Sequence, residues 1–261
     1  AALNYFTGSK EHNVALRGRA QRLGLKLNEY GLFPEDDPER AVRLKNEAEL
    51  YRKLGLPYIE PELREGRGEI EAAEAGALPE LIADGDLAGV LHCHTTWSDG
   101  KNTVQEMARA CKKLGDKYLA LCPHSQSAAY AGGLKSDDLR RQVDEIDQVN
   151  ARLKGFTILK GIESDILADG ALDYPDDVLA RLDLVVASVH SRMTMSGEEM
   201  TARIRRALEH PATTILGHPT GRLLLEREPY ALDLEGVLAT AATRGVAVEI
   251  IKVKTQGDKI L

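Results

Sequence analysis

Between residues 89 and 250, short apolar runs alternate with longer amphipathic segments, and this alternation limits the folds open to the chain. The amphipathic segments predict helices near 103–114, 138–153, 198–209 and 234–244. Beside them lie apolar runs too short for helices, at 90–91, 118–121, 156–159, 184–187, 213–216 and 246–250. Because strands joined through helices run parallel, the pattern predicts a parallel α/β sheet or barrel.

Histidines and carboxylates recur where these predicted strands end. Five of the seven histidines, called here the strand-end histidines, occupy such positions: His92, His94, His124, His190 and His218. Glu163 follows the third run in the same way, and Asp99 lies in the loop after the first. The carboxyl ends of the strands of a parallel barrel converge on one face, so we expect these seven side chains to meet.

This set of side chains predicts a metal centre with more than one ion. A single histidine at a strand end is more often a hydrogen-bonded structural residue, but recurrence at equivalent positions favours ligands. His92 and His94 are two residues apart, which on a strand places both imidazoles on one side. Nitrogen and oxygen donors together suit Zn²⁺, Mn²⁺ or Fe better than Mg²⁺ alone.

Four other polar residues are expected to lie outside this centre. His12 falls in a predicted helix and His210 precedes a proline, and we expect both at the surface. Asp165 and Asp169 are close to Glu163 in sequence. They could support the ligands, but solvated loop carboxylates are the commoner arrangement.

Composition excludes several classes of protein. With 43% apolar and 29% charged residues, and no apolar run near the roughly 20 residues needed to cross a bilayer, the chain reads as soluble. Three cysteines cannot all pair and the first residues form no secretory signal, so we expect a reducing, cytoplasmic location. A net charge of -7 argues against nucleic-acid binding through bulk electrostatics, although local basic patches could still bind it.

Two groups of motifs carry a family resemblance. The first comprises His-Cys-His-Thr-Thr-Trp-Ser-Asp-Gly at 92–100 together with segments 132–134, 159–163, 187–191 and 217–222. It resembles the PHP domain (polymerase and histidinol phosphatase), most closely that of bacterial family X DNA polymerases. The second group comprises segments 5–9 and 24–32 with Asn13 and Arg17, and resembles the thumb of the same polymerases.

The resemblance implies an α/β fold with two domains. We expect a small, mainly helical thumb-like subdomain at 1–60, with helices at 10–24 and 37–54, a linker at 61–86, and a PHP domain at 87–261. The PHP domain would be a distorted (β/α)7 barrel, incomplete at its C-terminus because the family's further Asp and His ligands do not follow Glu249. The family's polymerase palm would lie before Ala1, so no polymerase activity is expected from this chain alone.

The resemblance also assigns roles to residues. His92, His94 and Glu163 would hold one metal ion, Glu163 would bridge to a second held by His190 and His218, and Asp99 and His124 would serve a third. Glu163 and His190 would be catalytic, joined by Arg222, which could hold a phosphate through paired hydrogen bonds. In the thumb, Tyr5 and Phe6 would lie near the sugar of a nucleotide, and Asn13 and Arg17 along the minor groove.

The function these features predict is a metal-dependent phosphoesterase acting on DNA 3′ ends, as a 3′-5′ exonuclease or 3′ phosphatase within a DNA-repair polymerase of family X. Its cofactors would be two to three divalent ions. Its partners would be DNA 3′ ends or another phosphate-bearing substrate, and no membrane is expected among them. One alternative is a small-molecule phosphatase of the histidinol-phosphatase type, which the thumb-like segment disfavours. The other is a non-catalytic DNA-binding module with a degenerate metal site.

Overall fold

A computed structural model describes residues 1–223 and 225–250. The chain divides into two compact units, Ala1–Ile82 and a second that begins at Ala83. No helix in the described part is both long and apolar enough to span a bilayer.

The first unit is mainly helical. Its elements are α1 (Ala2–Thr7), α2 (Lys10–Arg22), β1 (Leu25–Asn28), β2 (Gly31–Pro34), α3 (Glu47–Lys53), a 3₁₀ turn (Pro61–Leu63) and α4 (Glu69–Glu74). Ser9 caps α2, because its side chain accepts a hydrogen bond from the His12 backbone N–H. The core is built from side chains of several of these elements, including the fully buried Leu16, Leu32, Leu50, Tyr51, Leu54 and Ile59.

Two elements of this unit differ from the sequence prediction. The helix expected at 37–54 is present only as Glu47–Lys53, because Asn46 caps a new helix by accepting from the Glu49 N–H. The antiparallel hairpin of β1 and β2 was not anticipated. Its two-residue turn is held by Asn28, whose Oδ1 accepts from the backbone N–H groups of Tyr30 and Gly31.

Side chains from the segment expected as a linker pack into the first unit. Arg64, Ile70 and Ala73 are buried there. The expectation that His12 lies at the surface is wrong. Its side chain is fully buried, with Nδ1 2.6 Å from Glu69 Oε1 and Nε2 3.0 Å from the Tyr51 hydroxyl. The charged and polar neighbours that make this burial possible are remote in sequence.

The second unit confirms the predicted alternation. Its strands are β3 (Gly89–Cys93), β4 (Tyr118–Leu121), β5 (Thr157–Asp165), β6 (Leu184–Ser188), β7 (Ile215–Leu216) and β8 (Ala247–Val248). Its helices are α5 (Val104–Leu114), α6 (Ser136–Asn150), α7 (Asp176–Leu179), α8 (Gly197–Glu209) and α9 (Leu234–Arg244). Within the described residues, the strands pair in parallel in sequence order from β3 to β8. The expected barrel is therefore present, within these residues, as a curled, six-stranded parallel half-barrel.

The alternation of side chains along each strand explains how the sheet is covered. Leu119 and Leu121 of β4 pack with Val104, Ala108 and Ile146 of helices α5 and α6. Ala120 and Cys122 alternate with these leucines along the chain, so they face the other side of the sheet and cluster with Leu184 and Val186. Both faces are thus apolar, whereas buried polar residues such as His124, Glu163, Asp165 and Ser188 lie at the carboxyl ends of the strands.

Candidate metal centre

The seven predicted ligands come from successive strands. His92 lies on β3, His94 directly after it, and Asp99 in the loop that follows. The next four occupy neighbouring strand ends: His124 follows β4, Glu163 lies on β5, His190 follows β6 and His218 follows β7. Because these strands are parallel and adjacent, their carboxyl ends bring all seven residues to one place.

Glu163 lies at the middle of the cluster. Its side chain is 2% exposed, and all five strand-end histidines surround the carboxylate. One carboxylate oxygen, Oε1, is 2.9 Å from His218 Nε2 and 3.2 Å from His190 Nε2. The other, Oε2, is 2.9 Å from His124 Nδ1, 3.3 Å from His92 Nε2 and 3.7 Å from His94 Nε2. One carboxylate thus lies between two sets of imidazoles.

Asp99 extends the cluster towards solvent. Its side chain is 49% exposed, with Oδ1 3.1 Å from His94 Nδ1 and Oδ2 3.6 Å from His124 Nε2. Among the described residues, three overlapping groups have donor atoms within 4.8 Å of one another: His92, His94 and Glu163; His94, Asp99 and His124; and His124, Glu163 and His190. The overlap allows neighbouring ions to share ligands.

His92 reaches this position through an irregularity in its strand. The register between β3 and β4 shifts between Val90 and Cys93, so β3 has one extra residue there. His92 also has a φ of 58°, in the left-handed region that non-glycine residues rarely adopt. A bulge re-aims a side chain, and strained backbone of this kind concentrates at functional sites.

Two carboxylates outside the ligand set orient two of the histidines. His190 Nδ1 lies 2.5 Å from Asp165 Oδ1, and His92 Nδ1 lies 2.7 Å from Glu249 Oε1. Such contacts fix the ring and leave Nε2 free to face an ion. Asp165 is 3% exposed, so the expectation of a solvated loop carboxylate is wrong for it, whereas Asp169 is exposed.

Glu249 is a residue that the sequence reasoning missed. It lies near the end of the last predicted apolar run, a position equivalent to those of the ligands. This position along the predicted strand could have indicated that Glu249 lies at the same site. Its Oε2 also accepts from the His218 backbone N–H at 3.2 Å, so Glu249 supports two ligands. His210, expected at the surface, is partly exposed and lies 3.1 Å from Asp176.

The electrostatics of the cluster favour positive charge around Glu163. Burial would raise the pKa of Glu163, but its close contacts with the surrounding histidines hold that pKa far below its usual range. Burial would lower the pKa of both His92 and His190. Contacts with Glu163 and Glu249 nevertheless raise the pKa of His92 to about 9. Contacts with Asp165 and Glu163 likewise raise the pKa of His190 to about 9. Burial and the neighbouring His124 instead lower the pKa of His94 to about 4.

The donor atoms fit a divalent metal ion. Nδ1 of His94 and Nδ1 of His124 are buried and make no hydrogen bond within the described part of the chain. Each has a carboxylate oxygen nearby, at 3.1 and 2.9 Å, but in a direction that does not form a hydrogen bond. A buried polar atom without a partner is costly, and a bound cation removes that cost. Imidazole and carboxylate donors together suit transition metals.

The remaining predicted catalytic residue, Arg222, lies in the loop after β7. It is exposed, and its guanidinium makes no hydrogen bond or ion pair with the residues that the structure describes. Its proposed contact with phosphate therefore stays a prediction.

The four thumb residues divide into exposed and internal positions. Tyr5 and Phe6 are 37% and 78% exposed and form an edge-to-face pair with centroids 5.2 Å apart. Arg17 is exposed. Asn13 is 9% exposed, and its amide donates to the carbonyls of Tyr5 and Gly8. Asn13 thus fixes α1, whereas the other three side chains remain available to a ligand.

Comparisons with known proteins agree with this arrangement. Residues 2–65 match the family model "DNA polymerase beta thumb". The DNA polymerase/3'-5' exonuclease PolX of Bacillus subtilis is 42% identical over 248 residues, which make up 95% of this chain. The chain corresponds to the thumb and PHP parts of bacterial family X DNA polymerases.

Other similar proteins are phosphatases by name. A probable phosphatase of Thermoanaerobacter sp. is 31% identical over 168 residues, or 62% of this chain. A solved structure of a histidinol phosphate phosphatase from Lactococcus lactis, with zinc, L-histidinol and phosphate, covers 62% of this chain and 72% of its own, at a TM-score of 0.43 and 15% identity. The chain spans 43% of the length of the Bacillus protein and 64% of the Thermoanaerobacter protein.

Proposed function

We propose that the chain is a metal-dependent phosphoesterase that acts on DNA 3′ ends, as a 3′-5′ exonuclease or a 3′ phosphatase. The observation that carries the proposal is the carboxylate of Glu163 enclosed by five histidines at the carboxyl end of a parallel sheet. The names of the Bacillus and Thermoanaerobacter relatives, an exonuclease and a probable phosphatase, support the same reaction class.

Two to three divalent ions, Zn²⁺, Mn²⁺ or Fe, would be held by the sets of ligands that the resemblance implies. His92, His94 and Glu163 would hold one, His190 and His218 with the shared Glu163 a second, and Asp99 with His124 a third. When bound, such ions lower the pKa of a water molecule and neutralise charge on a phosphoryl group. Glu163 keeps the first two positions adjacent, and Asp165 and Glu249 hold the rings of His190 and His92 in place.

The same proposal gives roles to residues outside the cluster. Arg222 follows His218 by four residues, and its planar guanidinium suits a phosphate in two-point hydrogen bonding. In the first unit, the exposed Tyr5, Phe6 and Arg17 offer a stacking surface and a charge for DNA. The match of residues 2–65 to a polymerase thumb favours DNA over a small phosphoester as substrate.

Hydrolysis of labelled oligonucleotides tests this function. We expect the Mn²⁺-loaded chain to release nucleotides from a labelled 3′ end, or inorganic phosphate from a 3′-phosphorylated end, faster than phosphate from histidinol phosphate. The variant His94→Ala should lose this activity, while Glu228→Gln, an exposed loop substitution, should keep it. If the chain binds metal in the expected amount but hydrolyses none of these substrates, the result would favour the alternative, a non-catalytic DNA-binding module.

A further inference from the structure

Tyr130 is an exposed aromatic residue at the edge of the candidate metal centre. Its side chain is 74% exposed, and it belongs to a short 3₁₀ turn, Ala129–Ala131, between β4 and α6. Its ring centroid is 6.3 Å from that of His124, with the ring planes at 51°. Because His124 also faces Asp99, the tyrosine stands beside the more exposed side of the centre. Because its side chain is exposed, Tyr130 does not contribute to the apolar core.

The charges around Tyr130 agree with this position. Partial burial, followed by the negative charges of Asp165, Glu163 and Asp99, raises the pKa of the Tyr130 hydroxyl, and Arg227 opposes them. The ring is thus neutral at physiological pH and lies within the field of three carboxylates of the centre. A substrate phosphate bound at these ions would place its attached group near the ring.

The turn that carries Tyr130 is fixed in place. Leu134 N–H donates to the His124 carbonyl at 2.9 Å, and Gly133 N–H donates to the Ala128 carbonyl at 3.1 Å. A Cβ atom at Gly133 would lie 1.9 Å from the Ser125 carbonyl oxygen, so the close approach of the two backbone segments requires glycine. An aromatic ring held in advance loses little conformational entropy when it binds a ligand.

We propose that Tyr130 is a specificity-determining residue that stacks on the 3′-terminal nucleoside of the substrate. This inference rests on the proposed function. Every nucleobase has a flat π-face, so stacking on Tyr130 favours DNA ends over esters of small alcohols without selecting a sequence. The aromatic ring is the group that acts, and the hydroxyl is not needed.

The test compares two variants on two substrates, using the full metal-loaded chain. Tyr130→Leu removes the aromatic ring and Tyr130→Phe keeps it. Because residue 130 is not part of the core, both variants should fold. One oligonucleotide ends in an ordinary nucleotide, and the other ends in an abasic tetrahydrofuran residue with the same backbone. For the ordinary end, Tyr130→Leu should raise KM about tenfold with little change in kcat, while Tyr130→Phe stays within about twofold of the wild type. For the abasic end, Tyr130→Leu should have no effect.

A binding readout separates this inference from the proposed function. An oligonucleotide with 2-aminopurine at its 3′ terminus and a hydrolysis-resistant phosphorothioate linkage should lose fluorescence on binding to the wild type and Tyr130→Phe, but not to Tyr130→Leu. Quenching that depends on Tyr130, without hydrolysis of normal DNA, would retain the stacking role and reject the proposed activity. Hydrolysis and quenching that are equal in all three proteins would overturn the role of Tyr130 alone. A wild type that neither cleaves nor quenches would overturn both.

Discussion

Glu163 is the residue on which the centre depends, because its one carboxylate lies against all five strand-end histidines. We predict that Glu163→Gln weakens metal binding about 100-fold or more, since an amide carries no charge and is a poorer ligand than a carboxylate. Even residues that only orient a ligand change metal affinity about 10–100-fold. Elemental analysis after dialysis against metal-free buffer measures this. Glu228→Gln, an exposed loop carboxylate, is the control. Equal metal content in both variants would remove Glu163 from the ligand set.

Asp165 and Asp169 form a natural pair for comparison, since they lie four residues apart and only Asp165 is buried against a ligand. We predict that Asp165→Asn lowers metal affinity or hydrolysis about 10–100-fold, because the His190 ring loses the charged acceptor that fixes it. Asp169→Asn should have no effect, as its side chain is 62% exposed. Competition titration with a chelating dye gives both affinities. Similar values for the two variants would mean that Asp165 does not orient the ligand.

The sequence was sufficient to predict residues whose role depends on their place along a strand, and insufficient for those whose role depends on a distant partner. The strand-end histidines repeat at equivalent positions, so their convergence follows from parallel topology. Asp165 was expected in solvent and His12 at the surface, but each is buried against a group supplied by another segment: His190 and Glu69 respectively. No local pattern announces such a pairing.

At the level of elements, long amphipathic helices and apolar strands were predictable, but short elements and irregularities were not. The helices α5, α6, α8 and α9 begin and end close to the predicted positions. The β1–β2 hairpin has only four residues per strand, and the bulge at His92 depends on pairing with β4. These features are fixed by tertiary contacts, which outweigh weak local preferences.

The segment between β4 and α6 carries a prediction of its own. Gly133→Ala should destabilise the second unit by about 1–3 kcal/mol, because the new methyl group overlaps the Ser125 carbonyl and the backbone must move. Gly85→Ala is the control, since a Cβ there meets nothing within 4 Å. Urea unfolding followed by fluorescence of Trp97, the single tryptophan, reports on this unit. Equal midpoints for the two variants would show that the turn has room to adjust.

The contact of α2 with α4 predicts a dependence on pH. Burial would raise the pKa of Glu69, but the bond from His12 and the N–H groups of Gly66 and Arg67 hold it below the usual 4.5. Because the folded-state pKa is the lower one, this stabilisation is present above about pH 4.5 and is lost as the pH falls through the folded-state value. The α2 and α4 amides should therefore exchange faster in acid, relative to the intrinsic rate.

A substitution isolates this contact from other acid-sensitive groups. Glu69→Gln should weaken protection of α2 and α4 at neutral pH by about 1–3 kcal/mol and flatten its change with pH, because the charged acceptor is gone. Glu71→Gln, on the exposed side of the same helix, should behave as the wild type. Hydrogen exchange read by mass spectrometry resolves both helices. An unchanged pH profile in Glu69→Gln would assign the acid sensitivity to another group.

For the whole molecule, the division into two units determines how metal binding should affect stability. All seven proposed ligands lie in the second unit, and the first has a separate apolar core. A ligand that binds only the folded state stabilises it by RT ln(1 + [L]/Kd), about 2.7 kcal/mol at 100 times Kd. This free energy opposes any opening that breaks the centre, and it does not act on openings confined to residues 1–82.

We therefore predict an unequal response to metal removal. Chelation should lower the Trp97-monitored unfolding midpoint and increase hydrogen exchange in β4, β5 and β6, which carry or adjoin Glu163, while exchange in α2 and α3 changes little. In the His94→Ala variant the same chelator should have a smaller effect, because less metal is bound to remove. Readdition of Mn²⁺ or Zn²⁺ should restore the wild-type pattern, with the more tightly bound ion giving the larger shift. An equal loss of protection in both units would mean that they unfold as one cooperative body, whose stability is linked throughout to the centre around Glu163.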